Sequence, residues 1–88
     1  MKYYVYILKS KKDKKHYIGF TKNLNERLKQ HNEGKVISTK YRKPLELVYY
    51  EVSFNKDDAL YREKYLKTTY GRRYIKNRIK NQNHGMII

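Results

Sequence analysis

Arg27 and His31 stand four residues apart in a stretch whose leucines, Leu24 and Leu28, repeat at the same interval. In a helix this spacing puts all four side chains on neighbouring stripes, with Asn25, Glu26, Lys29 and Gln30 opposite. An arginine and a histidine turned towards the protein and not the solvent need a reason. One is an arginine whose stem packs while its head reaches solvent. Glu63 is the sharper anomaly, because it falls inside the apolar arc of Ala59, Leu60 and Leu66. A carboxylate facing a core needs a cation. Either Arg27 or Arg62 supplies it as a salt bridge, or Glu63 ligates a hard ion such as Mg²⁺. One or two carboxylates plus water and substrate phosphate suffice for that ion. The third feature is tyrosine, with eleven copies against two phenylalanines. Tyr6 and Tyr17 can fill a core with their hydroxyls at its surface. A phenol also accepts a proton when neighbouring cations lower its pKa from about 10.

These side chains need elements to hold them. Residues 3–9 form a strand rich in β-branched and aromatic side chains, apolar on both parities and hence central in its sheet. Residues 11–15 are a polar turn, and 16–20 a second strand that closes a hairpin. Gly19 within it marks a bulge or a close backbone approach. Thr21 caps a helix that runs to about residue 33 and stops at Gly34. Residues 34–43 are a basic loop, and Pro44 leads into a strand over 45–52. Asn55 caps a helix over 56–67, the segment 68–71 breaks it, and a third helix covers 72–80. The tail 81–88 is expected to be loose, with Met86, Ile87 and Ile88 able to dock. The order is ββαβαα, an α+β domain over 1–80 with a small antiparallel three-stranded sheet flanked by helices.

Charge narrows the partner. Twenty-two Lys and Arg against eight Asp and Glu give a formal +14 over 88 residues. Such an excess opposes compaction and calls for a polyanion. Abundant Lys, Asn, Ile and Tyr also fit an AT-rich coding sequence, but that bias does not hold the acidic residues at eight. Nucleic acid is the expected partner, with Lys40, Arg42, Lys43, Arg72 and Arg73 on its phosphates. There is no cysteine, which excludes disulfides and thiolate metal sites. His16, His31 and His84 lack ligand spacing, and there is no glycine-rich phosphate loop or small-molecule cofactor motif. No run is long enough for a membrane span, and the apolar start is too short for a signal peptide. The cytoplasm is the expected compartment.

Tyr4-Val5-Tyr6, followed after ten residues by Tyr17-Ile18-Gly19, resembles the motif pair that names the GIY-YIG nuclease superfamily. Arg27-Leu28-Lys29-Gln30-His31 resembles its arginine helix, and Ala59-Leu60-Tyr61-Arg62-Glu63-Lys64 its acidic helix. The match spans nearly the whole chain. It is most similar to the small stand-alone, single-domain group, akin to the N-terminal domain of a bacterial excision-repair nuclease. The resemblance implies a metal-dependent endonuclease that hydrolyses phosphodiester bonds in nucleic acid, with one Mg²⁺ or Mn²⁺; DNA is expected ahead of RNA. It assigns Tyr17 as general base, Tyr6 as its hydrogen-bonding assistant, Arg27 as phosphate stabiliser, Glu63 as metal ligand and His31 as a further site residue. The first motif has Tyr4 where the family has glycine. Ile75 stands where many active members carry an asparagine, with Asn77 two residues on. A nucleic-acid-binding module with weak or no catalysis is the competing reading, and a protein whose charge is incidental is a third.

Overall fold

In a computed structural model, residues 1–79 are described. The expectations for 81–88 lie outside them, while the third helix, expected to reach Lys80, ends at Arg78 with Ile79 as its C-cap. The elements are β1 (Tyr3–Ser10), β2 (His16–Thr21), α1 (Leu24–Asn32), a short 3₁₀ turn (Ile37–Thr39), β3 (Leu45–Ser53), α2 (Lys56–Leu66) and α3 (Thr69–Arg78). The order ββαβαα is as expected. The sheet is antiparallel with strand order β2-β1-β3.

β1 is central because both its faces are apolar. Val5 and Ile7 pack with Ala59, Leu66 and Ile75 under α2 and α3. Tyr6 and Leu8 point the other way, into a second core with Leu45, flanked by Leu24 and Leu28 of α1. The sheet therefore sits between two helical layers. Against β3 the pairing slips between Ile7 and Leu8, which face Tyr49 and Leu47.

Several local expectations shift for definable reasons. The cap of α1 is Asn23, not Thr21: its side chain accepts from the Glu26 backbone N–H. Thr21 instead accepts from the Asn23 N–H and shapes the turn before the cap. Asn55 caps α2 as expected, accepting from Asp58. α3 begins at Thr69 with Thr68 as its cap, so the break after α2 is shorter than residues 68–71. Gly71 does not break a helix. It lies within the first turn of α3, pressed against the backbone of Tyr65 and Leu66, where any Cβ would collide. That close approach lets α3 pack on the end of α2.

Two polar staples fix the layer that carries α1. The Asn32 side chain accepts from the Leu45 N–H and donates to the Leu45 carbonyl, at 2.7 and 2.9 Å. The buried Ser10 hydroxyl donates to the Arg42 carbonyl and accepts from Lys12 and Asp13. The loop before β3 is thereby tied to the tip of the hairpin.

Candidate active site

The β1–β2 register sets Tyr6 opposite Gly19 and Leu8 opposite Tyr17, so both tyrosines belong to the face covered by α1. Gly19 is where the tyrosines become possible. A Cβ there would collide with the Tyr6 ring and hydroxyl, so the close approach expected at Gly19 is to the Tyr6 phenol. The helical spacing of Arg27 and His31 brings both to that phenol. Arg27 Nε donates to the Tyr6 hydroxyl at 3.4 Å, and its Nη1 donates to Gln30 Oε1 at 3.1 Å.

His31 is fully buried. Its Nε2 lies 2.8 Å from the Tyr6 hydroxyl and its Nδ1 2.7 Å from the Thr39 hydroxyl. Its ring meets those of Tyr6 and Tyr17 edge-on, at centroid distances of 5.6 and 5.1 Å. Burial, and then the Arg27 charge, push its pKa down to about 4. The imidazole is therefore neutral near pH 7, with one donor and one acceptor nitrogen. If Nδ1 donates to Thr39, Nε2 receives the Tyr6 proton and the phenol is locked. In the other tautomer, Thr39 donates to Nδ1 and the Tyr6 proton is left for a bound group.

Burial raises the Tyr6 pKa; the hydrogen bond from Arg27 opposes this. The charges of Tyr17 and Glu63 add to the rise. Tyr6 thus keeps its proton at neutral pH. Tyr17 is half-buried, 6.4 Å from Tyr6 ring to ring, and its hydroxyl makes no hydrogen bond among the described residues.

Glu63 comes from α2, the layer on the opposite side of the sheet, yet its carboxylate still weighs on the Tyr6 phenol. Its side chain is 21% exposed and pairs with Lys67 Nζ at 3.2 Å. This corrects two sequence expectations. Leu60 is 37% exposed and does not complete an apolar arc around Glu63. Neither Arg27 nor Arg62 is the partner: Arg62 grips Glu51 through Nε and Nη2, at 2.8 and 3.0 Å, and lies over the Tyr74 ring. Among the described residues no three His, Asp or Glu side chains gather as a metal cluster. Glu63 alone fits a hard cation that takes its remaining ligands from water and phosphate.

The basic positions divide. Lys40 and Lys43 are exposed in the loop, and Lys40 sits over the Tyr41 ring. Arg42 is engaged in the fold: its Nε donates to Asp13 Oδ2 at 2.7 Å and its Nη2 to the His16 carbonyl at 3.4 Å. That pairing, with a backbone hydrogen bond from Lys15, holds the Asp13 carboxyl down at about 2. Arg72 and Arg73 are exposed on α3, and Arg73 lies over Tyr70. Ile75 is part of the core, while Asn77 faces outward from α3.

A cleft of about 880 Å³ opens between the hairpin and α3. Tyr17 forms part of its wall, together with Lys15, His16, Lys67, Arg72 and Lys76. Thr39 and Lys67 were not singled out in the sequence. Thr39 stands in a polar loop and is marked only by its contact with His31. Lys67 was legible as the residue four after Glu63.

Comparison with known proteins shows the family. Residues 2–82 match the family model of the GIY-YIG catalytic domain. A UPF0213 protein of Clostridium perfringens is 49% identical over 67 residues, covering 73% of this chain and 69% of the relative. One from Staphylococcus haemolyticus is 46% identical over 68 residues, covering 76% and 82%. The solution NMR structure of a UPF0213 protein from Bacillus halodurans superposes with a TM-score of 0.54 at 32% identity, covering 85% of this chain and 82% of that one.

Proposed function

Because the chain belongs to the GIY-YIG family, a nuclease family, we propose that it is a divalent-metal-dependent endonuclease hydrolysing phosphodiester bonds in nucleic acid, DNA above all. The observation that carries this reading is the Tyr6–His31–Arg27 cluster set beside Tyr17, a residue that also lines a cationic cleft.

The roles are those that the family resemblance implies, and the geometry is compatible with them. Tyr17, as general base, takes a proton from the water that attacks phosphorus as the bond to the leaving oxygen breaks, and the leaving oxygen takes a proton from solvent water. Tyr6 keeps its own proton and orients the site by hydrogen bonding, held in place by His31 and Thr39. Arg27 offers guanidinium charge to the phosphate oxygens as negative charge builds on them. Glu63 would hold the single Mg²⁺ or Mn²⁺, which supplies further charge neutralisation at the phosphate. Lys40, Lys43, Arg72 and Arg73 contact backbone phosphates. The proposed setting is the cytoplasm; among the described residues no helix is long and apolar enough to cross a membrane.

One observation favours the alternative, a binding module with weak catalysis. Ile75 is a core residue, so the position that carries an asparagine in many active members is closed to the site. Cleavage assays on DNA and RNA with Mg²⁺, Mn²⁺ or EDTA decide between the two. Divalent-dependent cuts support the enzyme; binding without cuts under any ion supports the module.

A further inference from the structure

The cleft between the hairpin and α3 has a composition that core packing does not explain. Five of its lining residues are cationic: Lys9, Lys15, Lys67, Arg72 and Lys76. No acidic side chain is among the lining residues that the structure describes. Like charges gathered around a concavity repel one another, and the low-dielectric walls between them focus the field onto whatever enters. The floor is different, since Ile18, Ile75 and Ile79 supply an apolar surface beneath the cations. His16, also on the wall, is held below its usual pKa by burial and by the charges of Lys9 and Arg42. An apolar floor with a rim of one sign suits a polyanion whose charges are spaced along an uncharged body.

The cleft is also joined to the cluster described above. Tyr17 borders it while its ring edge meets His31. Lys67 borders it while its ammonium reaches Glu63. A chain lying in the cleft thus passes two residues that touch the cluster and the carboxylate, Tyr17 and Lys67.

We propose that this cleft is a binding track for the sugar–phosphate backbone of the strand that flanks the bond presented to Tyr17. Lys15, Arg72 and Lys76 hold phosphates away from the reacting one, and the isoleucine floor takes sugars and base edges. Lys67 serves the phosphate nearest Glu63. The identity of the polymer rests on the nuclease reading; the track itself is tested by binding alone.

The test is fluorescence anisotropy of a labelled oligodeoxythymidylate titrated with the full chain in EDTA, at several salt concentrations. Arg72→Glu/Lys76→Glu reverses two charges in the cleft. Lys29→Glu/Lys35→Glu makes the same change in net charge on the α1 side of the sheet. All four residues are exposed, and a thermal melt of each variant confirms that it folds. Neutralising phosphate contacts sets both affinity and salt slope, so the cleft variant should bind about tenfold or more weaker than the α1 variant, with a flatter slope. Equal losses in the two variants, or no loss in the cleft variant, overturn the track. If the oligonucleotide binds through the cleft but no divalent ion yields cleavage, the nuclease reading fails and the track stands. If the protein cleaves and the cleft variants bind and cleave like the wild type, the track fails and the nuclease reading stands.

Discussion

The hydroxyl of Tyr6 lies 2.8 Å from Nε2 of His31, and both side chains are buried, at 1% and 0% exposure. This pair joins β1 to α1 by a polar contact beside the apolar packing of Leu8, Leu24 and Leu28. A buried hydrogen bond adds modest net stability when made, yet leaving either partner alone is expensive. The pair therefore makes the position of the Tyr6 phenol unique.

Replacing His31 with leucine removes the partner of the Thr39 hydroxyl and leaves the Tyr6 hydroxyl with only the 3.4 Å bond from Arg27. It should destabilise the protein by about 2–4 kcal/mol in a urea titration. Tyr6→Phe in the same background should cost less than it does in the wild type, because its partner is already gone. Strict additivity of the two changes would mean that the contact contributes nothing.

Acid should act on His31 before it acts on Asp13. Native His31 titrates near 4 and the unfolded residue near 6.5. Between those values the unfolded chain binds a proton that the native chain does not, so stability falls as pH falls through this window. Above about pH 6.5 the native state is at full strength. Below the window the loss is on the order of 3 kcal/mol. The Asp13 contribution is lost only between its ordinary range and about 2, as the carboxyl facing Arg42 protonates. Denaturant midpoints from pH 4 to 7 check this, and His31→Leu should flatten the slope. A wild-type midpoint constant across that range contradicts a neutral, buried His31.

Gly19→Ala should disturb the site more than its size suggests. The new methyl collides with the Tyr6 ring, and overpacking of this kind costs about 1–3 kcal/mol. Because Tyr6 must move to relieve it, cleavage should fall further than stability at a temperature where the variant remains folded. Parallel melts and rate measurements separate the two effects. Full activity in a folded Gly19→Ala protein would exclude Tyr6 from the site.

Arg42→Ala should behave as a stability variant. Its ion pair with Asp13 is partly exposed, with side-chain exposures of 24% and 34%. Loss of the pair should cost about 1 kcal/mol or less. Oligonucleotide affinity should fall less than in Lys40→Ala, whose ammonium is free to reach phosphate. The reverse ranking, measured by anisotropy, would return Arg42 to the phosphate-contacting set.

The fold was legible where periodicity alone decides. β1 is apolar on both parities and proved central; the four-residue spacing of Leu24, Leu28, Arg27 and His31 put the last two against the Tyr6 phenol. Caps were legible where one candidate stood, as at Asn55, and misplaced where Thr21 and Asn23 competed two residues apart. Contacts between distant segments were not legible. Nothing local marks Thr39 as the partner of His31, or Asp13 as the partner of Arg42, since each lies in a polar loop whose path is set by the rest of the fold. Glu63 stood out in the sequence, but its surroundings were not legible. A helical wheel treats Leu60 as core, whereas α2 turns it outward and leaves the carboxylate beside Lys67.

The central claim is that Tyr17 and Glu63 serve one hydrolytic site, and cleavage of DNA by Glu63→Gln and Tyr17→Phe tests it most directly. The Glu63–Lys67 pair is partly exposed, so Glu63→Gln should shift stability by no more than about 1 kcal/mol. Loss of the proton acceptor at Tyr17 should lower the divalent-dependent rate about 10²–10⁴-fold, and Glu63→Gln should abolish the response to Mg²⁺ and Mn²⁺. Both variants should keep wild-type affinity for DNA in EDTA and melt within a few degrees of the wild type. Wild-type cleavage rates in either folded variant, or a wild-type protein that binds DNA and cuts it under no divalent ion, would contradict the claim.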